Sequence, residues 1–375
     1  MTGLLRSSNT VGAGVAHVAM VDALAQGSEL WDAVAARSPC HSPFMSWAWH
    51  NAWAQTASRE ELLESFGVLL NGADVVEGIL PLAIRPMSFR RTRVRALTWA
   101  IGDAGCPDHL DIPATGDVDP AAAIPLLEPL PWQILVLSGV AANAANVRRL
   151  TDGLDDRGYT VRRTPLAPCP YIELPGTWDE YLAGLSKSRR QAIRWQERKL
   201  IRDHAMVITD YAPDLLDEGW QWLRSLHAAR WAGGGALGEE RVDRLLRSFS
   251  SELAARDELW LTTLDLDGEP AAAWHGFACG DTVYFYQSGR DPKWGSTSVG
   301  LVLLGAMIRR AIERGYRRFD FLRGHDGYKQ SWMSAERWVY DVVAIRPGWR
   351  SAWLRGLDLA GRVKARLSNG SAGGG

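Results

Sequence analysis

The sequence has few cysteines for its length. Its 375 residues include four, Cys40, Cys106, Cys169 and Cys279, and none of them has the C-x-x-C spacing. Zinc sites and disulfide frameworks depend on closely spaced cysteines, so the sequence argues against both. We expect four reduced thiols and no bound metal.

Long apolar runs are also missing. No segment has ~18 uninterrupted apolar residues, the length that a membrane-spanning helix needs. The richest segment, residues 121–140, is broken by a glutamate and three prolines. An apolar N-terminal stretch that resembles a signal peptide is interrupted by His17 and Asp22. We therefore expect a cytoplasmic protein without a membrane span.

The chain has no excess of either charge, since 42 Lys and Arg balance 43 Asp and Glu. Nothing global therefore points to a nucleic-acid partner. A length of 375 residues predicts two domains. The proline-rich segment 164–170 predicts the boundary between domains at 1–165 and 166–348, followed by a basic segment and a disordered tail at 349–375.

Two similar stretches indicate a duplication. LNGADVVEGILPLA in the first half and LDLDGEPAAAWHGF in the second both predict a strand, an acidic-Gly turn and a strand. Around the second copy, the sequence predicts helices at 178–203, 215–231, 239–256 and 298–314. The pattern indicates an α/β fold with a mixed sheet in each half.

Two segments are candidates for binding an anion. In the helix predicted over 186–202, one stripe is basic: Lys187, Arg190, Arg194, Arg198 and Arg202. It fits either a solvated face or a positive wall near a phosphate-bearing ligand such as CoA, tRNA or a lipid head group. RDPKWGSTSVG precedes an apolar helix, so its N–H groups suit a phosphate, while its hydroxyls also suit plain N-capping. Its candidate cofactor-binding residues are Arg290, Gly295, Ser296, Thr297 and Ser298.

Ionisable residues gather in the second half. LHAARW places His227 and Arg230 on one helix face, and AAAWHGF places His275 in an apolar strand. A histidine in a cleft suits general-base work, and the alternative is a structural core histidine. FDFLRGHDGYKQSW follows a strand, at the end of the sheet where ligands gather, and the alternative is an exposed charged loop. Its ionisable residues are Asp320, Arg323, His325, Asp326, Tyr328 and Lys329.

These motifs occur in the order LHAARW, LDGEPAAAWHGF, YFYQSGRDP and YRRFDFLRGHDGYKQSW. Together they resemble an acetyltransferase family of the CelD/BcsL type with a GNAT-like fold, over about residues 30–345. SPFMSWAWHNAW and RRQAIRWQERKL add to the similarity. The family resembles tandem-GNAT enzymes of the FemABX type. The resemblance thus implies tandem GNAT-like domains, of which the N-terminal one, lacking the ionisable cluster, is degenerate.

The resemblance implies acyl transfer from acyl-CoA to an amine, in envelope polysaccharide or sphingoid-like lipid biosynthesis. Because these motifs converge on adjacent strand ends, we expect a general base at His275, assisted by His227 or Asp320, while the resemblance implies an acid at Tyr328. The implied substrate-binding residues are Arg230, Trp231, Tyr286, Gln287, Arg323 and Lys329. The chain departs from the GNAT phosphate motif Q/R-x-x-G-x-G/A, which leaves two alternatives open. One is an aminoacyl-tRNA-dependent transferase of the FemABX type, and the other is a non-catalytic binding module.

The segment 349–367 is basic and rich in Trp and Leu. Such a composition suits a helix lying on an anionic membrane, and also a helix packed on the domain. Under the first alternative the protein contacts the inner face of the membrane peripherally.

Overall fold

The computed structural model describes residues 9–10, 14–72, 75–211, 213–231, 235–324, 327–348 and 351–356. They fall into two compact units. One comprises the described residues of 1–50, 57–166 and 339–375, and the other comprises 51–56 and 167–338. Most of the predicted membrane-surface segment 349–367, together with His325 and Asp326, lies outside the described residues.

The described strands are β1 (Asn9–Thr10), β2 (Val15–Ala19), β3 (Ser65–Asn71), β4 (Val76–Phe89), β5 (Thr92–Trp99), β6 (Ile134–Ala141), β7 (Thr160–Glu173), β8 (Met206–Asp210), β9 (Leu259–Leu266), β10 (Glu269–Cys279), β11 (Thr282–Arg290), β12 (Arg318–Asp320) and β13 (Ala335–Ile345). The described α-helices are α1 (Met20–Leu24), α2 (Ser28–Ala36), α3 (Trp47–Thr56), α4 (Arg59–Glu64), α5 (Ile124–Leu127), α6 (Ala145–Asp155), α7 (Trp178–Gly184), α8 (Lys187–Asp203), α9 (Leu216–Arg230), α10 (Glu240–Ala254), α11 (Val299–Glu313) and α12 (Gly327–Gln330).

The two units repeat one strand pattern. In the first, β2, β3, β4 and β5 are antiparallel neighbours, β5 pairs parallel with β6, and β6 pairs antiparallel with β13. In the second, β8, β9, β10 and β11 are antiparallel neighbours, β11 pairs parallel with β12, and β12 pairs antiparallel with β7. The predicted mixed α/β fold of tandem GNAT-like domains is confirmed, and the two similar stretches are the hairpins β3–β4 and β9–β10.

The crossover between the parallel strands differs in the two units. In the second unit it is α11, a helix of 15 residues. In the first unit it holds a long loop, a 3₁₀ turn and the four-residue helix α5. Much of that loop is buried, and its Asp111 carboxylate accepts backbone N–H groups of Asn146 and Val147 at the start of α6. Burial raises the pKa of Asp111 to about 6, against the effect of these hydrogen bonds.

The segment 164–170, where the sequence predicts the domain boundary, lies within strand β7. Proline has no N–H to donate, but its carbonyl still accepts hydrogen bonds. The carbonyl of Pro170 accepts from the N–H of Phe321 at 2.9 Å. The domain boundary at this segment stays a prediction, and the division of the chain into two compact units falls between residues 166 and 167.

Helix α9 packs closely on β11. A Cβ atom at Gly289 would lie 2.3 Å from the backbone N of His227, so only glycine allows this approach. The contact brings Arg230 near the sheet, where its Nη1 donates to Ser288 Oγ at 2.5 Å.

A buried ion pair holds the chain where β12 ends. Asp320 is fully buried, and its Oδ2 accepts from Nε and Nη2 of Arg337 at 3.0 and 2.7 Å. Its Oδ1 accepts from the backbone N–H of Leu322 at 2.7 Å. Asp320 therefore orders the turn that leads toward α12.

Within the described residues, no helix is both long enough and apolar enough to cross a bilayer.

We predict that Asp320→Asn lowers the free energy of unfolding by about 3 kcal/mol, because the substitution leaves the Arg337 guanidinium without its countercharge. The midpoint of urea unfolding measures the loss. Asp179→Asn is the matched control, since Asp179 pairs with Arg194 at 3.0 Å but its side chain is 85% exposed. That exposed pair is worth about 0–1 kcal/mol. Equal losses in the two variants would contradict a special role for the buried pair.

Candidate active site

The second unit contains a cavity of about 350 Å³. It lies where β10 and β11 face the first half of α11, with α8, α9 and α12 contributing side chains. The residues that line it are Arg189, Arg230, Ala272, Ala273, Trp274, Phe285, Ser288, Gly289, Arg290, Gly295, Ser298, Gly300, Leu301, Leu303, Leu304, Tyr328 and Trp332. A volume of this order suits a small molecule or one arm of a larger ligand.

The start of α11 opens onto this cavity. Ser298 is its N-cap residue, with a left-handed φ of 57°, and its side chain makes no capping hydrogen bond. Thr297 Oγ1 donates instead to the Trp294 carbonyl at 2.6 Å. The N–H groups of the first helical turn therefore lack a capping side chain, and they carry the positive end of the helix dipole.

The cavity is positively charged. Arg189, Arg230 and Arg290 line it, and no aspartate or glutamate occurs among the lining residues in the described part of the chain. Guanidinium groups bind phosphates and carboxylates through paired hydrogen bonds. The lining of the cavity therefore carries groups that can bind an anion.

Arg189 is a partly buried arginine in the cavity wall. Its guanidinium stacks over the Trp332 ring at 4.6 Å, and its buried Nε has no hydrogen-bond partner among the described residues. Burial lowers the pKa of Arg189. An arginine held in this way gains a partner when an anion enters the cavity.

The rest of the wall is apolar. Trp274 stacks on Phe285 with ring centroids 5.5 Å apart, and Leu301, Leu303 and Leu304 come from α11. The cavity can therefore receive a ligand that has both an anionic and an apolar part.

The structure brings together only some of the residues singled out from the sequence. Arg230, Arg290, Gly295, Ser298 and Tyr328 all line the cavity. Ser296 and Thr297 lie in the 3₁₀ helix Pro292–Thr297 and are not among its lining residues.

His275 lies away from the cavity. It is fully buried, Nε2 lies 2.9 Å from Ser250 Oγ of α10, and its ring meets Trp220 of α9 edge-on. Trp274, the preceding residue, lines the cavity, so strand alternation turns His275 to the opposite face. Burial lowers the pKa of His275 to about 3, which keeps the imidazole neutral.

The LHAARW and YFYQSG motifs contribute Arg230, Phe285, Ser288 and Gly289 to the lining, and their other residues lie outside it. His227 is buried, which lowers its pKa, while a hydrogen bond to Gln287 acts in the opposite direction. The Tyr286 ring meets His275 edge-on at 5.8 Å. Trp231 is 47% exposed beneath the Arg230 guanidinium.

Among the described residues of the FDFLRGHDGYKQSW segment, Tyr328 and Trp332 line the cavity and the others do not. Lys329 is buried, and its Nζ donates to the carbonyls of Phe321 and Arg323 at 3.1 Å. Neither Lys329, Arg323 nor Asp320 is among the residues that line the cavity.

The basic stripe of α8 also differs from the predicted wall. Arg190 donates to carbonyls at the end of α7, Arg194 pairs with Asp179, and Arg202 pairs with Asp203. The helix contributes Arg189 to the cavity instead, a residue outside the predicted stripe.

Sequence reasoning missed Arg189, Ser288, Gly300 and Trp332. The signals were present, since Arg189 lies in the RRQAIRWQERKL motif and Trp332 ends GYKQSW. What was missing was the packing of α8, α11 and α12 that makes them neighbours. Among the described residues, no group of three or more His, Cys, Asp or Glu is placed to hold a metal ion.

Residues 187–330 match the family model described as an acetyltransferase (GNAT) domain. No curated protein sequence matches the chain.

Solved structures share the fold at low sequence identity. The structure of FemX has a TM-score of 0.56 at 10% identity, covering 84% of this chain and 95% of FemX. The C-terminal domain of a putative lysylphosphatidylglycerol synthetase from Agrobacterium fabrum has a TM-score of 0.55 at 10% identity, covering 90% and 96%. L-PGS from Bacillus licheniformis has a TM-score of 0.54 at 11% identity, covering 89% and 96%. All the residues that line the cavity except Trp332 fall within the stretch that matches the acetyltransferase (GNAT) domain model, and the chain shares its fold with these structures.

Proposed function

We propose that the second unit transfers an acyl group from acyl-CoA to an amine, as an N-acyltransferase of the CelD/BcsL type. The observation that carries the proposal is the cavity, which joins three arginines and an uncapped helix start to an apolar wall. A CoA thioester has the same two characters, with phosphates on one arm and an acyl chain at its end. Arg290 and the start of α11 would bind phosphate, and the apolar wall would bind the acyl chain.

The proposed chemistry is a direct transfer. The amine nitrogen attacks the thioester carbonyl, the N–C bond forms and the C–S bond breaks. The nitrogen releases one proton to water as the amide forms, and the leaving thiolate takes up a proton from a donor that water then reprotonates. Tyr328 lines the cavity and is the proposed donor of that proton. The three guanidinium groups disfavour a protonated amine nearby because like charges repel. The ammonium form of the acceptor therefore loses its proton to water first, and the acceptor binds as the neutral amine.

The acceptor is proposed to be a polysaccharide-borne or lipid-borne amine of the cell envelope. In support, one protein of the same fold is a putative lysylphosphatidylglycerol synthetase, whose name denotes an aminoacyl group on a lipid. Under this proposal the enzyme works in the cytoplasm, at the inner face of the membrane.

A second candidate is transfer from an aminoacyl-tRNA, which the FemABX resemblance implies. The likeness to FemX over 84% of the chain favours it. Both candidates use the same arginines and the same Tyr328, and they differ in the donor.

We predict that acetyl-CoA binds the chain in calorimetric titration and that incubation with amine acceptors releases free CoA thiol. Arg290→Gln should raise the Kd about tenfold or more, because a charged hydrogen bond is worth about 1.5–3 kcal/mol. Arg317→Gln is the matched control, since Arg317 is exposed and does not line the cavity.

Consumption of aminoacyl-tRNA without CoA binding would replace the proposal by the second candidate. Neither signal, across acyl chain lengths, would indicate a binding module.

We predict that Tyr328→Phe lowers kcat about 10²- to 10⁴-fold with little change in acetyl-CoA affinity, because the phenol acts on the leaving group. The measurement is steady-state kinetics across pH with the acceptor that the thiol-release assay identifies. Tyr316→Phe is the control, a half-buried tyrosine outside the cavity lining. Wild-type kcat in Tyr328→Phe would remove the acid role.

His275 provides a test by pH. Its place between Ser250 and Trp220 supports a structural role, whereas the sequence-based hypothesis makes it the general base. The folded-state pKa of about 3 lies below the ordinary 6.5, so the unfolded chain binds a proton first as the pH falls. Wild-type stability is unaffected by this group above about pH 6.5 and declines as the pH drops toward the folded pKa.

We predict that His275→Gln flattens this acid decline, measured as the free energy of unfolding from about pH 7 to about pH 4. We also predict that its kcat at neutral pH falls less than about tenfold, since loss of a general base costs about 10²–10⁴. His50, buried with a pKa lowered to about 4, stays in both proteins, so its contribution cancels in the comparison. A kcat loss of about 10² or more in a variant of unchanged stability would restore His275 as the base.

A further inference from the structure

One face of α8 is both basic and apolar. The helix has 17 residues, and at about 100° per residue one arc of about 120° collects seven exposed side chains. They are Lys187, Gln191, Arg194, Trp195, Arg198, Ile201 and Arg202. We call this surface the α8 face. The two acids of the helix, Glu197 and Asp203, fall outside the arc.

Two large apolar side chains stand out on the α8 face. The exposed fractions of Trp195 and Ile201 are 51% and 58%. Lys199 at the edge of the arc holds its Nζ 5.2 Å from the Trp195 ring. Tryptophan beside lysine and arginine is the composition of protein segments that rest in the interface of a bilayer.

The charges on this face are partly unmatched. Arg194 pairs with Asp179 at 3.0 Å, and Arg202 pairs with Asp203 at 2.7 Å. Lys187 and Arg198 have no acidic partner within ion-pair distance among the described residues, although Arg198 Nε donates to the Arg194 carbonyl. The α8 face thus keeps net positive charge in a chain whose formal net charge is -1.

We propose that the α8 face docks on the surface of an anionic lipid bilayer. Lipid headgroups of negative charge complement Lys187 and Arg198, and the Trp195 ring and Ile201 side chain enter the interfacial layer. The opposite side of α8 contributes Arg189 to the cavity wall. If the proposed transferase function holds, docking brings that wall close to amines carried by the membrane.

The test is co-sedimentation of the full chain with vesicles of phosphatidylglycerol and phosphatidylcholine in equal amounts, and with phosphatidylcholine alone. We expect binding to the anionic vesicles that weakens as salt rises. In Lys187→Ala/Arg198→Ala the partition coefficient should fall about thirtyfold, because each basic residue near such a surface contributes about 1 kcal/mol. Trp195→Ala should reduce binding further.

The matched control is Trp222→Ala/Arg244→Ala, which removes an exposed tryptophan and an exposed arginine from α9 and α10. It should bind like the parent. The proposal is overturned if the parent ignores anionic vesicles, if the α8 variants bind as the parent does, or if the control loses binding equally. A parent that binds tRNA but not vesicles overturns it as well. Release of CoA thiol in water is measured on the same variants, so a failure of the membrane proposal is separated from a failure of the enzyme proposal.

Discussion

The parallel pairing of β11 and β12 is the constraint on which the candidate site depends. Two parallel strands need a crossover, and here the crossover is α11. The helix begins shortly after β11 ends, so its N-terminus, which has no side-chain cap from Ser298, opens near the carboxyl end of the strand, where Arg290 and Ser288 lie. A ligand bound there meets backbone donors, guanidinium groups and the apolar side of α11 together. The positions of Arg189, Arg230 and Tyr328 matter because they border this opening.

The first unit has the same strand pattern as the second, but a different segment connects its two parallel strands. It includes the parallel pair β5–β6, but its crossover has no long helix and no equivalent opening is built from it among the described residues. The buried loop instead sends the Asp111 carboxylate to the start of α6, where an internal anion satisfies the helix N–H groups. Its raised pKa, about 6, shows that burial opposes this carboxylate despite its hydrogen bonds. The difference supports the proposal that the first unit is catalytically degenerate.

Much of this arrangement could be predicted from the sequence. Strand and helix periodicity identified the hairpins and α11, and the Ser/Thr-rich segment before α11 identified the opening at Ser298. The role of His275 could not be settled in the same way, because alternation places a side chain on one of two faces without saying which face holds the cavity. Register shifts in β10, one of them between His275 and Gly276, make the sequence pattern less informative. Arg189 and Arg337 depend on contacts between distant segments, which no local pattern contains.

Charge connects the cavity with the helix that borders it. The chain is almost neutral, yet the cavity holds three arginines without a lining carboxylate among the described residues, and α8 carries seven basic residues against two acids. An arginine such as Arg189, with a buried Nε that has no partner in the described part of the chain, is costly to keep unless an anion completes it. On the outer side of α8, two arginines pair with Asp179 and Asp203, and other basic side chains have no acidic partner among the described residues. Positive charge is therefore concentrated where a phosphate-bearing donor and a lipid surface would each contact the second unit. The net charge of the whole chain does not reveal this local concentration.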